Sequence, residues 1–423
     1  NTANVTNAIY GVDSSPVVKD IYFDDTPNDG INKKRWRTVL LSGLGAGGKG
    51  FFALDVTDPD KPKHLFAVDH NETDKIITHW AHDESYTSEG YSGGSISSEM
   101  DFRKLGETWS VPRIIRMKVA GVEKWVAVFG AGYNGMSNPD IGSAVFVIDL
   151  ENEGKVIKVI DIEDTAAQSY GWSGQLGSRV GGILTNGNTV FEVAKWSPGI
   201  SYDSSKGESL IAEFNPPVGH TITYSNNGSV STVTKVTFDS AWPCNVGGNC
   251  RGTAIFRRYS NDIVNSLPAD LSVITADGTD KANYNGALIY ATDLEGKLTK
   301  INLTDKGTLY ETTTLFNSQS TSENGRYIYT RPEVTINNDS NLWLYFGTGN
   351  TQKLQEQSNQ VQNRLYGIKD VNFPNFVKLN SSGKVSQCKT SPDCPGGNDL
   401  GWYVNLQKAQ KLTAEPTVDK DRV

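Results

Sequence analysis

The sequence has 423 residues, a formal net charge of −8, 42 glycines, 3 methionines and an aromatic content of 10%. Its acidity argues against nucleic acid as a partner. The one basic cluster, Lys33-Lys34-Arg35-Trp36-Arg37, is too short to supply the broad positive field that replaces phosphate counterions. No apolar run is long enough to cross a bilayer as a helix, so no transmembrane segment is expected in this chain.

Abundant Gly, Thr, Ser, Asn and Tyr suit many short strands joined by turns, and three elements recur along the chain. The first is a proline that opens an extended segment, at Pro16, Pro112, Pro268, Pro332 and Pro416. The second is a strand running into Gly-x-Gly, from Trp36 to Gly43-Leu-Gly45, from Trp125 to Gly130-Ala-Gly132 and from Leu342 to Gly347-Thr-Gly349. The third is an alternating strand ending in aspartate, at Asp55, Asp149, Asp293 and Asp370. A fourth strand follows a turn, as in Asp293-Leu-Glu-Gly296-Lys. Four short strands repeated as a unit predict an all-β fold, a β-propeller of four-stranded antiparallel blades that bury their faces by stacking. Residues 1–423 are read as one propeller domain with long insertions at 69–108, 195–262 and 374–400. The N-terminal Asn1-Thr2-Ala3-Asn4 is not a signal peptide. The chain, which stops where a strand begins after Pro416, reads as a fragment of a longer protein.

Cys244 and Cys250, and likewise Cys388 and Cys394, form C-x5-C pairs in Gly/Pro-rich loops. Two local disulfides and an oxidising compartment are the simplest reading, and a four-cysteine zinc site is the rival, although its usual spacing is shorter. No catalytic centre is expected. Gly43 through Gly50 imitates nucleotide-binding glycine loops, but a strand follows it and not the helix N-terminus those loops need. Gly90-Tyr-Ser92-Gly-Gly94 spells a nucleophile elbow inside a Ser/Gly-rich loop, without the required strand and helix. His70, His79 and His82 lack the spacing of a helical zinc site and read as members of a solvated loop. The repeated aspartates read as acceptors of turn N–H groups. The one candidate metal site is calcium in the loop Asp24 to Asn32, held by Asp24, Asp25, Asn28 and Asp29. Pro27 stands at one ligand position of an EF-type loop and Trp36 where the bidentate acid belongs, so a polar hairpin is the alternative.

The segments Tyr10-Gly-Val-Asp13-Ser-Ser-Pro16-Val-Val-Lys-Asp20, Leu41 through Pro59, Ala291-Thr-Asp-Leu-Glu-Gly-Lys-Leu and Leu344-Tyr-Phe-Gly-Thr-Gly resemble the PilC/PilY family of type IV pilus-associated proteins, in their C-terminal propeller. The resemblance implies a modified propeller of about seven blades. It also implies export to the bacterial surface, pilus or outer membrane, and support of pilus extension against retraction and of twitching motility. Adhesion and virulence follow through pilus components and a host-cell receptor. Some members carry a calcium loop between the first two strands of a later blade, which falls here at Thr275 through Gly286; that stretch lacks the first acids, leaving Asp24–Asn32 the better candidate. A structural scaffold of pilus assembly without host binding is the alternative. A quinoprotein-like dehydrogenase is the enzyme alternative, against which stand the absence of a repeating Trp motif and of adjacent cysteines.

Overall fold

Residues 144–149, Ala-Val-Phe-Val-Ile-Asp, are buried without a break. A strand can bury every side chain only if both faces of its sheet are covered. In the computed structural model the alternate residues Ala144, Phe146 and Ile148 join one apolar cluster, and Val145 and Val147 join another. The structure describes residues 10–24, 34–92, 95–134, 141–162, 266–278, 280–318, 326–337, 340–355, 361–379, 385–388, 399–407 and 409–419, and the backbone of the strands between 168 and 258.

The first sheet contains β1 (Val17–Phe23), β2 (Arg35–Gly43), β3 (Gly50–Asp55), β4 (Lys63–Asn71), β5 (Ile76–Trp80) and β6 (Tyr86–Gly90), in that order and antiparallel throughout. The second contains β7 (Arg113–Val119), β8 (Val122–Gly130), β9 (Ala144–Asp149) and β10 (Lys155–Asp161). Then β11 (Gln168–Gln175), β12 (Gly182–Asn186), β13 (Thr189–Ser197), β14 (Thr221–Tyr224), β15 (Val230–Phe238) and β16 (Asn249–Arg258) form a closed barrel, completed where β11 pairs with β16. The third sheet contains β17 (Ser272–Thr275), β18 (Gly286–Thr292), β19 (Lys297–Thr304) and β20 (Thr312–Asn317). The fourth contains β21 (Glu333–Ile336), β22 (Leu342–Gly347), β23 (Arg364–Asp370), β24 (Ser386–Gln387) and β25 (Gly401–Asn405), with β25 beside β23 and β24 parallel to β25. No α-helix occurs among the described residues, and none of their helices is long and apolar enough to cross a membrane.

Three apolar seams join the sheets in chain order. Phe51 and Phe66 meet Phe129 and Phe146 between the first and second sheets. Val145 and Val147 meet Ala287, Ile289 and Ala291 between the second and third. Leu288 and Tyr290 meet Leu344, Phe346 and Tyr366 between the third and fourth. The period-two alternation of β9 and of β18 therefore places one seam on each face. The barrel interrupts the chain between the second and third sheets without separating them, since Gly132 N donates to Leu267 O at 3.1 Å and Leu267 N to Gly142 O at 3.0 Å.

Two expectations change on this framework. The stretch 69–108 is not wholly a loop, because β5 and β6 extend the first sheet to six strands. The strand that ends at Asp293 is the second of its sheet, whereas those ending at Asp55, Asp149 and Asp370 are third strands. The stretch 195–262 falls within the part of the chain that builds the barrel, and 374–400 lies between β23 and β25.

Candidate functional site

Side chains that looked chemically suggestive in sequence are placed by the sheets in definite structural roles. Asp55 and Asp149 lie opposite Val39 and Val126 of the second strands. In the same place, Asn302 faces Leu288 and Asp370 faces Leu342. Each accepts, through Oδ1, the N–H of the residue two positions on: Thr57 at 2.9 Å, and Glu151, Thr304 and Asn372 at 3.0 Å each. This Asx turn closes the third strand in each of the four described sheets. The residue equivalent to the three aspartates is thus Asn302, and the structure corrects the assignment of Asp293, which caps the β18–β19 turn by accepting from Glu295 N and Lys297 N.

The other carboxylate oxygen of each third-strand aspartate meets a cation. Arg37 Nη1 lies 3.1 Å from Asp55 Oδ2 and Lys124 Nζ 2.5 Å from Asp149 Oδ2. Arg37 and Lys124 each stand two residues before the partner of the aspartate on the second strand. In the third sheet that position is Gly286, which brings no charge, and the acid is replaced by the neutral Asn302. In the fourth sheet it is Ser340, and Asp370 takes its cation from the neighbouring blade, where Lys300 on β19 reaches it at 2.5 Å. Tyr290 Oη also donates to Asp370, at 2.7 Å, and Lys300 donates to Asn375 O at 2.7 Å. Burial pushes the Lys300 ammonium below its ordinary range against the pull of Asp370, and burial together with the Asp370 charge pushes the Tyr290 hydroxyl well up.

The Gly-x-Gly turns are seams between blades. Gly45 N donates to Thr108 O at 3.2 Å, as Gly132 N does to Leu267 O, so these two turns bind the segments that lead into the next sheets. Gly130 is needed for closeness, because a Cβ there would lie 2.6 Å from Leu267 O. Gly132 is needed for its φ of +89°, a left-handed value.

Two of the three histidines are not in a solvated loop, whereas His82 lies in the partly exposed turn after β5. His70 and His79 lie on β4 and β5 and are buried. His70 Nδ1 donates to Leu105 O at 2.7 Å, and its Nε2 is 2.8 Å from Tyr91 Oη. His79 Nε2 donates to Glu153 O at 2.7 Å, and His82 Nδ1 is 2.6 Å from Glu153 Oε1. These partners tie the histidines to packing, and among the described residues no three or more His, Cys, Asp or Glu side chains converge as a metal site. Sequence reasoning missed the burial because β5 is only five residues long; the alternation of Ile77 and His79, both inward, was the available signal.

For calcium, Asp24 is half-buried just after β1, and the last registered pair of the β1–β2 hairpin is Phe23 with Arg35. Asp25, Asn28 and Asp29 lie outside the described residues. The rim of this hairpin exposes Tyr22 at 47% and Trp36 at 64%, with ring centroids 5.7 Å apart. Asp277, in the second stretch considered for calcium, is exposed in a short 3-10 turn. Cys388 is disulfide-bonded. Cys244 and Cys394 lie outside the described residues, as does the side chain of Cys250.

Predominantly antiparallel sheets of four to six strands, stacked face to face through repeated seams, define a β-propeller. Residues 4–176 match the family model described as PilY1 beta-propeller domain. The chain is 34% identical over 164 residues to the type IV pilus biogenesis factor PilY1 of Pseudomonas aeruginosa, a match covering 39% of this chain and 10% of that protein. It is 23% identical over 443 residues to a PilY1 homologue of Xylella fastidiosa, covering 98% of this chain and 21% of that protein. The chain therefore spans a small part of the length of these relatives. The crystal structure of the P. aeruginosa PilY1 C-terminal domain aligns over 95% of this chain and 63% of its own, at 16% identity and a TM-score of 0.48.

Proposed function

We propose that this chain is the propeller module of a surface-exposed, type IV pilus-associated protein that supports pilus biogenesis and, through it, twitching motility and attachment to host cells. The observation that carries the reading is the family match over residues 4–176, joined by relatives named as pilus biogenesis factors. The reading assigns no catalytic step, since Asp55, Asp149 and Asp370 are committed to turns and ion pairs. It includes calcium at the Asp24, Asp25, Asn28 and Asp29 loop as an ordering ion. Three carboxylates and an amide crowd that short loop, where a divalent cation would turn mutual repulsion into attraction.

The test removes the propeller from the full-length protein in its own bacterium and scores surface pili and cell attachment separately. Loss of attachment with normal pilus number supports the adhesive role. Loss of both supports an assembly factor and overturns the adhesive part. Normal piliation, motility and attachment together overturn the whole reading.

A further inference from the structure

The chain has 5 histidines, and four of them, His64, His70, His79 and His82, fall on β4, on β5 or directly after β5. This is the part of the first sheet that packs onto the turn after β9, where Gly154 lies against the Phe66 ring and His79 and His82 bond to Glu153. We propose that the outer part of the first sheet, β4 with the β5–β6 extension, is an acid-responsive latch, docked on the second blade while His70 and His79 are neutral and released when they take up protons.

The hydrogen bonds define the neutral state of His70. Leu105 O can only accept, so Nδ1 carries the proton and Nε2 accepts from Tyr91 Oη. A second proton on the ring puts N–H against Tyr91 Oη and adds a buried charge beside Lys49, opposed by Glu72. His79 likewise donates to a carbonyl; its charged form faces Lys155 and His64, with Glu153 opposing them. Burial holds both rings below their ordinary value of 6.5. The unfolded or undocked segment then binds protons first. The docking contribution is complete above about pH 6.5 and is lost as the pH falls through the folded values. His82 Nδ1 lies 2.6 Å from Glu153 Oε1, but the ring is partly exposed, and exposed pairs contribute little. The two buried rings, His70 and His79, therefore carry the response.

The latch stands independently of the pilus reading and is tested on the chain itself. Hydrogen exchange is measured at pH 7.5 and pH 5.5, corrected for intrinsic rates, with peptides from β18 and β19 as the internal reference. Residues 63–90 are expected to exchange about tenfold faster at the lower pH relative to that reference. The variant His70→Asn/His79→Gln keeps an N–H donor at each site without a titrating ring and is expected to show no such gain. Equal relative protection of residues 63–90 at both pH values in the unaltered chain would overturn the proposal, whether or not the variant folds. A folded variant that keeps the full pH-dependent gain also overturns it.

Discussion

Replacing Lys300 by methionine isolates the contact that joins the third and fourth blades. The side chains of Lys300 and Asp370 are 1% and 0% exposed, and their charges are 2.5 Å apart. At an effective dielectric constant of about 20 their attraction is about 6–7 kcal/mol, much of which offsets the desolvation of both groups. The intact pair is therefore close to neutral in its net contribution. Lys300→Met leaves the carboxylate buried without a counter-charge, which costs about 3–5 kcal/mol. Tyr290 Oη and Asn372 N still donate to Asp370, which places the expected loss near 3 kcal/mol. The double variant Lys300→Met/Asp370→Asn removes both charges and keeps the Asx turn, because an amide oxygen accepts from Asn372 N as Asn302 accepts from Thr304 N. It is expected to recover to within about 1 kcal/mol of the unaltered chain, the residue being the lost donor to Asn375 O. Urea unfolding followed by tryptophan fluorescence measures this as a shift in midpoint at constant slope. A single variant that loses less than about 1 kcal/mol, or a double variant no more stable than the single, refutes this account of the seam.

The converse change, Asn302→Asp, directs a carboxylate at the carbonyls of Lys306 and Thr308, which the amide now reaches at 2.8 and 2.9 Å. It is expected to cost about 3 kcal/mol in the same unfolding assay. Gly132→Ala forces a left-handed backbone on a side chain and drives a Cβ into Glu107 O, and is expected to lower the thermal midpoint by the equivalent of about 2 kcal/mol or more. Non-reducing peptide mapping is expected to recover Cys244 with Cys250 and Cys388 with Cys394; four free thiols would contradict the pairing. Calorimetric titration is expected to find calcium binding at about 10⁻⁴–10⁻³ M that Asp25→Ala/Asp29→Ala abolishes. Equal binding by both proteins, or none by either at millimolar calcium, would leave the loop a hairpin.

The blade repeat was legible because it is written in backbone constraints. Gly130 and Gly132 hold their places through close approach and a left-handed φ, which few other residues tolerate. The barrel was not legible. Its strands pair only among themselves in the described structure and repeat none of the blade motifs, so Gln168–Gln175 and its partners offered alternation without a recognisable unit. The β5–β6 extension was obscured for another reason. Polar Thr-Ser-Glu in β6 reads as loop, and its pairing with β5 depends on an edge that only the folded sheet supplies.

The misplacement of Asp293 shows what such a repeat conserves physically. Leu54-Asp55-Val56-Thr57-Asp58 and Ile301-Asn302-Leu303-Thr304-Asp305 match at the turn, and in both the Thr hydroxyl bonds the side-chain oxygen that caps its own N–H. What recurs is an acceptor two residues before a turn N–H, and Asp or Asn serves equally for that bond. The choice between them is made by charge. Where Arg37, Lys124 or Lys300 reaches the site the acid is present, and where Gly286 stands in place of the cation the amide is. A search for aspartate alone therefore skips the blade that lacks its cation and settles on Asp293, one strand too early. A search for Asp or Asn followed two residues later by the capped N–H places the four described sheets in register, whether the cation comes from the same sheet, from the next one or is absent.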